Sequence, residues 1–256
     1  MATEERQELL RSAVTAVKST NAHYAPLFKD DISTHPILYF GDPLTAEFAT
    51  LGVNPSATEF TRSRWPKTEL TIPELDHSST SYFRNSARES HEWFDRYELS
   101  LNILGHSYSS KKGNRSDTVH IDLSPRATRA MGTVSKTPSL RTRFLEMVAS
   151  DMRFFLSALG LCSNVRAAVM SGSVTNAHYF DEFVCKYLPT GYSLKLETEF
   201  ARGRGATTLY KLCGPTFAIP VLFCGSSPSS RNKGERLASE IRSNLACLKV
   251  AGFCSA

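Results

Sequence analysis

Short apolar runs punctuate the chain at residues 48–53, 119–123, 165–170 and 219–224, each bounded by Gly, Pro or Ser. They read as buried strands. Stretches of helical period alternate with them at residues 84–104, 139–159, 174–187 and 232–249. An earlier amphipathic segment, about residues 3–19, sets Leu9, Leu10, Val14 and Val17 on one stripe and predicts an N-terminal helix. This alternation predicts an α/β fold: a three-layer α/β/α domain with a central, mainly parallel β-sheet. Residues 192–199 and 207–212 predict a hairpin pair, with Arg202-Gly203-Arg204-Gly205 turning between them. Residues 56–81 are long, polar and Pro-containing, and read as an extended loop serving a site.

At 256 residues and 41% apolar content, the chain suits one large domain spanning 1–256, and no linker or repeat divides it. No apolar run approaches ~18 residues, so no membrane span is expected. The N-terminus lacks the apolar centre of a secretory signal, which predicts a cytoplasmic protein. The six cysteines, none within three residues of another, lack metal-knuckle spacing and read as reduced thiols. The seven histidines form no short-spaced ligand set. No Cys-x-x-Cys pair, Walker A loop or Gly-x-Gly-x-x-Gly occurs, so no metal or cofactor is expected. Charge is more telling. Eight basic residues (Lys111, Lys112, Arg115, Arg126, Arg129, Lys136, Arg141 and Arg143) lie between Tyr108 and Arg143 against two acidic ones, Asp117 and Asp122. With a net charge of +5 for the whole chain, the rest is close to neutral. Such a local excess suits a phosphate-tracking surface, or an ordinary solvated face.

The chemistry concentrates in two loops. Gly52-Val53-Asn54-Pro55-Ser56 follows the first strand, and Gly225-Ser226-Ser227-Pro228-Ser229-Ser230-Arg231-Asn232 follows the last. In an open α/β sheet, loops at the carboxyl ends of strands meet at one crevice. Between them runs Thr118-Val119-His120-Ile121-Asp122-Leu123-Ser124-Pro125. An Asn amide can hold a water by its carbonyl without a shifted pKa, which makes Asn54 a candidate for positioning water; its plain alternative is a turn cap.

Together these segments resemble the uracil-DNA glycosylase superfamily, nearest its single-strand-selective and mismatch-specific branches. The resemblance implies a uracil-DNA glycosylase-like fold, base flipping and cleavage of an N-glycosidic bond. It pairs Asn54 with the family's water-orienting residue. It pairs the 227–232 loop with the segment that pinches the DNA backbone. Pro228, Ser229, Ser230, Arg231, Asn232 and Lys233 would then contact DNA, with Arg231 as wedge or phosphate contact, and Arg126 belongs to the same basic surface. Tyr82 or Phe83 would stack on the flipped base, or else form a hydrophobic helix entry.

The sequence departs from the family at three places. Where the family reads the base edge with Asn, this chain has Asp122. An ionised carboxylate only accepts hydrogen bonds, so it repels O4 of uracil and suits the N4 amino group of cytosine; alternatively Asp122 is an N-cap or salt-bridge residue. Ser56 stands where a tyrosine closes the C5 face in the classical enzymes, leaving room for a C5 substituent. Ser227 replaces the family's stabilising His, and either its hydroxyl or His120 could serve instead, unless His120 points into the core. These readings together predict a monofunctional DNA glycosylase that excises a C5-modified cytosine, such as the glucosylated hydroxymethylcytosine of phage DNA, as an antiviral defence. The expected partner is DNA, with no metal and no membrane, and the chain is expected to be a monomer. A uracil or 5-hydroxymethyluracil repair glycosylase and a non-catalytic nucleic-acid-binding module are the alternatives. A serine hydrolase built on Ser227 lacks the Gly that a nucleophile elbow needs two residues later; Ser229 is there.

Overall fold

The computed structural model describes every residue except 1, 20, 29–34, 58–68, 85–91, 110–115, 176, 201–206, 229–232 and 255–256. Among the described residues, seven strands form the central sheet: β1 (Tyr39–Phe40), β2 (Phe48–Gly52), β3 (Thr118–Asp122), β4 (Ala167–Ser171), β7 (Ser193–Glu199), β8 (Thr207–Cys213) and β9 (Ala218–Cys224). Their spatial order is β1-β3-β2-β4-β9-β8-β7. The four central strands β3, β2, β4 and β9 are parallel. β1 closes one edge antiparallel to β3, and β8 and β7 extend the other as antiparallel neighbours. A separate ribbon pairs β5 (Ser173–Thr175) with β6 (His178–Tyr179).

All residues of β2, β3 and β4 are buried, so both faces of the sheet centre are covered. The covering helices form two packed groups. One contains α1 (Ala2–Lys18), α2 (Ile72–Thr80), α4 (Met131–Lys136) and α5 (Pro138–Gly160), and the other α3 (Glu92–Leu104), α7 (Lys233–Ser243) and α8 (Leu245–Val250). A short helix, α6 (Phe180–Tyr187), leans on the β5–β6 ribbon and β7. The fold is therefore α/β with a central sheet that is parallel in its middle. α5 shows why these segments are helical: Phe144, Met147, Val148, Met152, Phe155 and Leu159 recur at helical spacing and are all buried. Pro138 starts it, where a missing N–H costs nothing. α1 is tied to the sheet edge by Arg6, which donates to Asp42 at 3.2 Å and to Asp76 at 2.8 Å. Asp76 also accepts from the Tyr39 hydroxyl at 2.9 Å.

Several expectations are corrected. Residues 174–187 are not one helix: the β5–β6 ribbon precedes α6, because Gly172 turns the chain at φ +95° and β-branched Val174 and Thr175 favour extended backbone. The predicted loop at 56–81 contains α2, whose start is fixed by Glu74 accepting from both the backbone N–H (2.8 Å) and the hydroxyl (2.7 Å) of Thr71. The C-terminal helix is two helices, broken at Asn244. The Arg202-Gly203-Arg204-Gly205 turn lies outside the described residues.

Arg126 is the clearest correction. It was expected at the DNA, yet it is buried: its Nε donates to Asp151 at 2.9 Å and its Nη2 to the Ala16 carbonyl at 2.9 Å. Ser124 donates to the same Asp151 oxygen at 2.6 Å. Burial pushes the Asp151 carboxyl up, and Arg126 is the strongest influence holding it down. Removing one partner of a buried pair strands the other charge, so Arg126→Ala should cost about 3–5 kcal/mol of stability. Urea unfolding measures this; a variant of wild-type stability with weakened DNA binding would return Arg126 to the surface role.

Candidate functional site

Each central parallel strand delivers one polar group to the same end of the sheet. β2 runs into Asn54, β3 ends on Asp122, β4 ends on Ser171, and β9 leads through Gly225 and Ser226 to Ser227. All four groups line one cavity of about 580 Å³. Parallel strands in register explain the convergence: Gly52 lies opposite Asp122, and Leu51 opposite both Ile121 and Met170. Pairing continues beyond the strands, with Leu123 N–H donating to Gly52 and Ser124 N–H to Val53, both at 3.0 Å.

Asn54 is anchored through its nitrogen. Its Nδ2 donates to the Pro55 carbonyl at 2.9 Å, the Arg126 carbonyl at 3.2 Å and the Thr128 hydroxyl at 2.9 Å. The Thr128 hydroxyl itself donates to the Arg129 carbonyl at 3.1 Å, so toward Asn54 it can only accept. The amide orientation is thus fixed by its surroundings, and Oδ1 remains as the acceptor that Asn54 can offer a water. Ser56 bridges to Thr128, so the loop carrying Asn54 is stitched to the segment after β3.

Asp122 is buried on the cavity floor beside His120, whose Nε2 lies 3.3 Å from Asp122 Oδ1. It therefore lines the cavity with a hydrogen-bonding neighbour beside it, and no helix begins there. His120 lines the cavity instead of turning into an apolar interior. Gly52 makes their placement possible. A Cβ there would stand 2.2 Å from Asp122 Oδ1 and 2.7 Å from His120 Nε2, so no other residue fits without displacing both. Gly172 does the same for the second loop: a Cβ would meet Ser227 Cβ at 3.0 Å.

The expected stacking aromatics are not in the cavity. Tyr82 is buried against Phe40 and Phe94, with ring centroids 4.6 and 5.8 Å away. Phe83 stacks on Tyr108 at 4.5 Å. Phe40, Trp93, Phe94 and Phe180 line the cavity in their place. Phe40 arrives because β1 sets it opposite His120, a pairing that local sequence does not reveal. The other wall, Met131, Gly132, Ser135 and Lys136 of α4, also escaped sequence reasoning, although Lys136 belongs to the basic stretch already singled out.

Of the expected DNA-binding loop, Ser229, Ser230, Arg231 and Asn232 lie outside the described residues, and the described part shows how its base is held. Ser226 donates to Glu240 of α7 at 2.5 Å, and Arg96 of α3 donates to the Pro228 carbonyl at 3.2 Å. Of the basic stretch, Lys111, Lys112 and Arg115 are likewise outside the described residues, and Arg129 donates to the Phe28 carbonyl at 2.7 Å. Among the described residues, no cluster of three or more His, Cys, Asp or Glu could hold a metal ion, and no helix is long and apolar enough to cross a membrane. No protein-family model, curated protein or solved structure matches the chain.

Proposed function

We propose that this chain is a monofunctional DNA glycosylase of uracil-DNA glycosylase-like fold that acts on a C5-substituted cytosine. The observation that carries this reading is the convergence of Asn54, Asp122 and Ser227, from three strand ends, on one cavity. A flipped pyrimidine enters that cavity, and Asp122 accepts from its N4 amino group. Asn54 Oδ1 holds a water beneath the sugar. The bond from C1′ to the base nitrogen breaks with its electron pair leaving on the base, the water oxygen bonds to C1′, and the proton that the water loses ends on the departing base, giving a free base and an abasic site. The Ser227 hydroxyl or a neighbouring N–H faces the negative charge that develops on O2 of the leaving base.

Size and lining support the C5 substituent. The cavity, at about 580 Å³, far exceeds a pyrimidine ring, and Ser56, Gly132, Ser135 and Lys136 are among the residues that line it. Hydroxyl and ammonium groups there suit a hydroxylated substituent such as a hexose on hydroxymethylcytosine. An enzyme that requires the adduct spares unmodified host cytosine, which fits a role in defence against phages with modified DNA.

The test is incubation with oligonucleotides carrying glucosylated 5-hydroxymethylcytosine, cytosine, 5-hydroxymethyluracil or uracil, with released bases identified by mass spectrometry. Release from the glucosylated cytosine alone is expected. Release of uracil or 5-hydroxymethyluracil instead would make the chain a repair enzyme. DNA binding with no release from any of them, unchanged by Asn54→Ala, would make it a binding module.

A further inference from the structure

We propose that His120 is a second base-reading residue, fixed as a hydrogen-bond donor at Nε2 beside the acceptor Asp122, so that the cavity floor presents a donor–acceptor pair matched to the N3–N4 edge of cytosine. The biological use of the pair rests on the glycosylase reading above; its geometry does not.

The direction of the pair follows from a buried relay. Tyr108 is buried, and burial above all pushes its phenol well above the ordinary range, so it keeps its proton. That hydroxyl lies 2.5 Å from Thr50 Oγ1. Thr50 Oγ1 in turn lies 2.8 Å from His120 Nδ1. With Tyr108 donating to Thr50 and Thr50 donating onward, Nδ1 accepts; the reverse order would leave the Tyr108 proton buried without a partner, and a Thr50 that accepted from both would leave its own proton so, which is costly. An imidazole that accepts at Nδ1 carries its hydrogen at Nε2, the atom facing Asp122 at 3.3 Å. That contact is long for a hydrogen bond, so Nε2–H can share its hydrogen with an incoming acceptor at little cost, with the ring staying in place. The ring itself is clamped: Trp93, Phe94 and Phe40 surround it at centroid distances of 4.8, 5.2 and 5.8 Å. Gly52, which has no Cβ to collide with either atom, leaves Nε2 and Oδ1 side by side.

Cytosine presents an acceptor at N3 next to a donor at N4, the complement of a His donor next to an Asp acceptor. Uracil presents a donor at N3 next to an acceptor at O4, so both of its groups would meet groups of their own kind. One carboxylate rejects uracil at a single atom, whereas the pair rejects it at two. A well-placed two-point contact of this kind discriminates by roughly 10–100-fold.

The test uses the full chain labelled with ¹⁵N-histidine, with the His120 resonances assigned by their loss in His120→Phe. A pyridine-type shift at Nδ1 and a pyrrole-type shift at Nε2 are expected. Thr50→Val, nearly isosteric, should mix the two tautomers without unfolding the chain, and a melting curve checks that both variants fold. Titration with 5-hydroxymethyl-2′-deoxycytidine should move the Nε2 signal, and the matching deoxyuridine should need at least about 10-fold more to do so. That preference should shrink in Thr50→Val and in His120→Phe. A hydrogen on Nδ1 in the wild type, no response to either nucleoside, or an undiminished preference in both variants would overturn the inference. The glycosylase reading fails separately, if the wild type distinguishes the nucleosides yet releases no base from any oligonucleotide.

Discussion

Asn54→Ala is expected to slow base release by on the order of 10²-fold or more under single-turnover conditions, with KM for the oligonucleotide little changed. The loss follows from the amide's anchoring. Because Nδ2 is committed to Pro55, Arg126 and Thr128, Oδ1 is held in one direction, and alanine leaves the water without that acceptor. The same anchoring means that alanine also removes the partner of three acceptors, at about 1–3 kcal/mol of stability. Asn54→Asp separates the two effects. It retains an oxygen that can accept from water but sets a second oxygen against those acceptors, so it should destabilise the loop more than alanine does. If release by Asn54→Ala matches the wild type at a temperature where both are folded, as shown by a melt, Asn54 does not position the water.

The strand ends were legible in the sequence because continuous apolar runs bounded by Gly, Pro and Ser have few other readings. The segments around 48–53, 119–123, 165–170 and 219–224 became β2, β3, β4 and β9 with small shifts of boundary. The rule that loops at strand carboxyl ends share a crevice then brought Asn54, Asp122 and Ser227 together. The same rule applies to Ser171-Gly172-Ser173 after β4, which also lines the cavity but carries no motif like those of the two loops. Other features were hidden because they depend on what sits beside a residue in space. Arg126 looked like surface charge until Asp151, on a helix 25 residues away, met it. Phe40 reaches the cavity only through an antiparallel edge strand two residues long, which places it against His120. The capping pattern Thr71-x-x-Glu74 is the signal in the sequence by which α2 could be found inside the predicted loop.

Arg96 and Gly234 show how the described base of the second loop is held. Arg96 holds the Pro228 carbonyl, and a Cβ on Gly234 would meet Arg96 Cβ at 3.0 Å, so α3 and α7 approach closely where α7 begins. The helix that lines the cavity with Trp93 and Phe94 thereby also holds the base of the loop that carries Ser227. The cavity and the described base of the loop that carries Ser227 thus share one support.

Asp122→Asn is expected to move substrate preference from cytosine-type towards uracil-type bases. The argument is one of donors and acceptors. Asp122 lies on the cavity floor with His120 Nε2 at 3.3 Å from its Oδ1. An asparagine there keeps a carbonyl that can face His120 and gains an amino group that can donate to O4 of uracil; the same amino group would confront N4 of cytosine. Each end of that exchange is worth about 1–3 kcal/mol, so the ratio of kcat/KM for 5-hydroxymethylcytosine-type over 5-hydroxymethyluracil-type oligonucleotides should fall by roughly 10–100-fold or more. The substitution changes no volume, and Gly52 continues to leave the space that the side chain occupies, so folding should be preserved. Competition between the two oligonucleotides in one tube gives the ratio directly. A ratio unchanged by Asp122→Asn, in a variant that still releases base, would remove Asp122 from base recognition and leave the cleavage chemistry of Asn54 standing on its own.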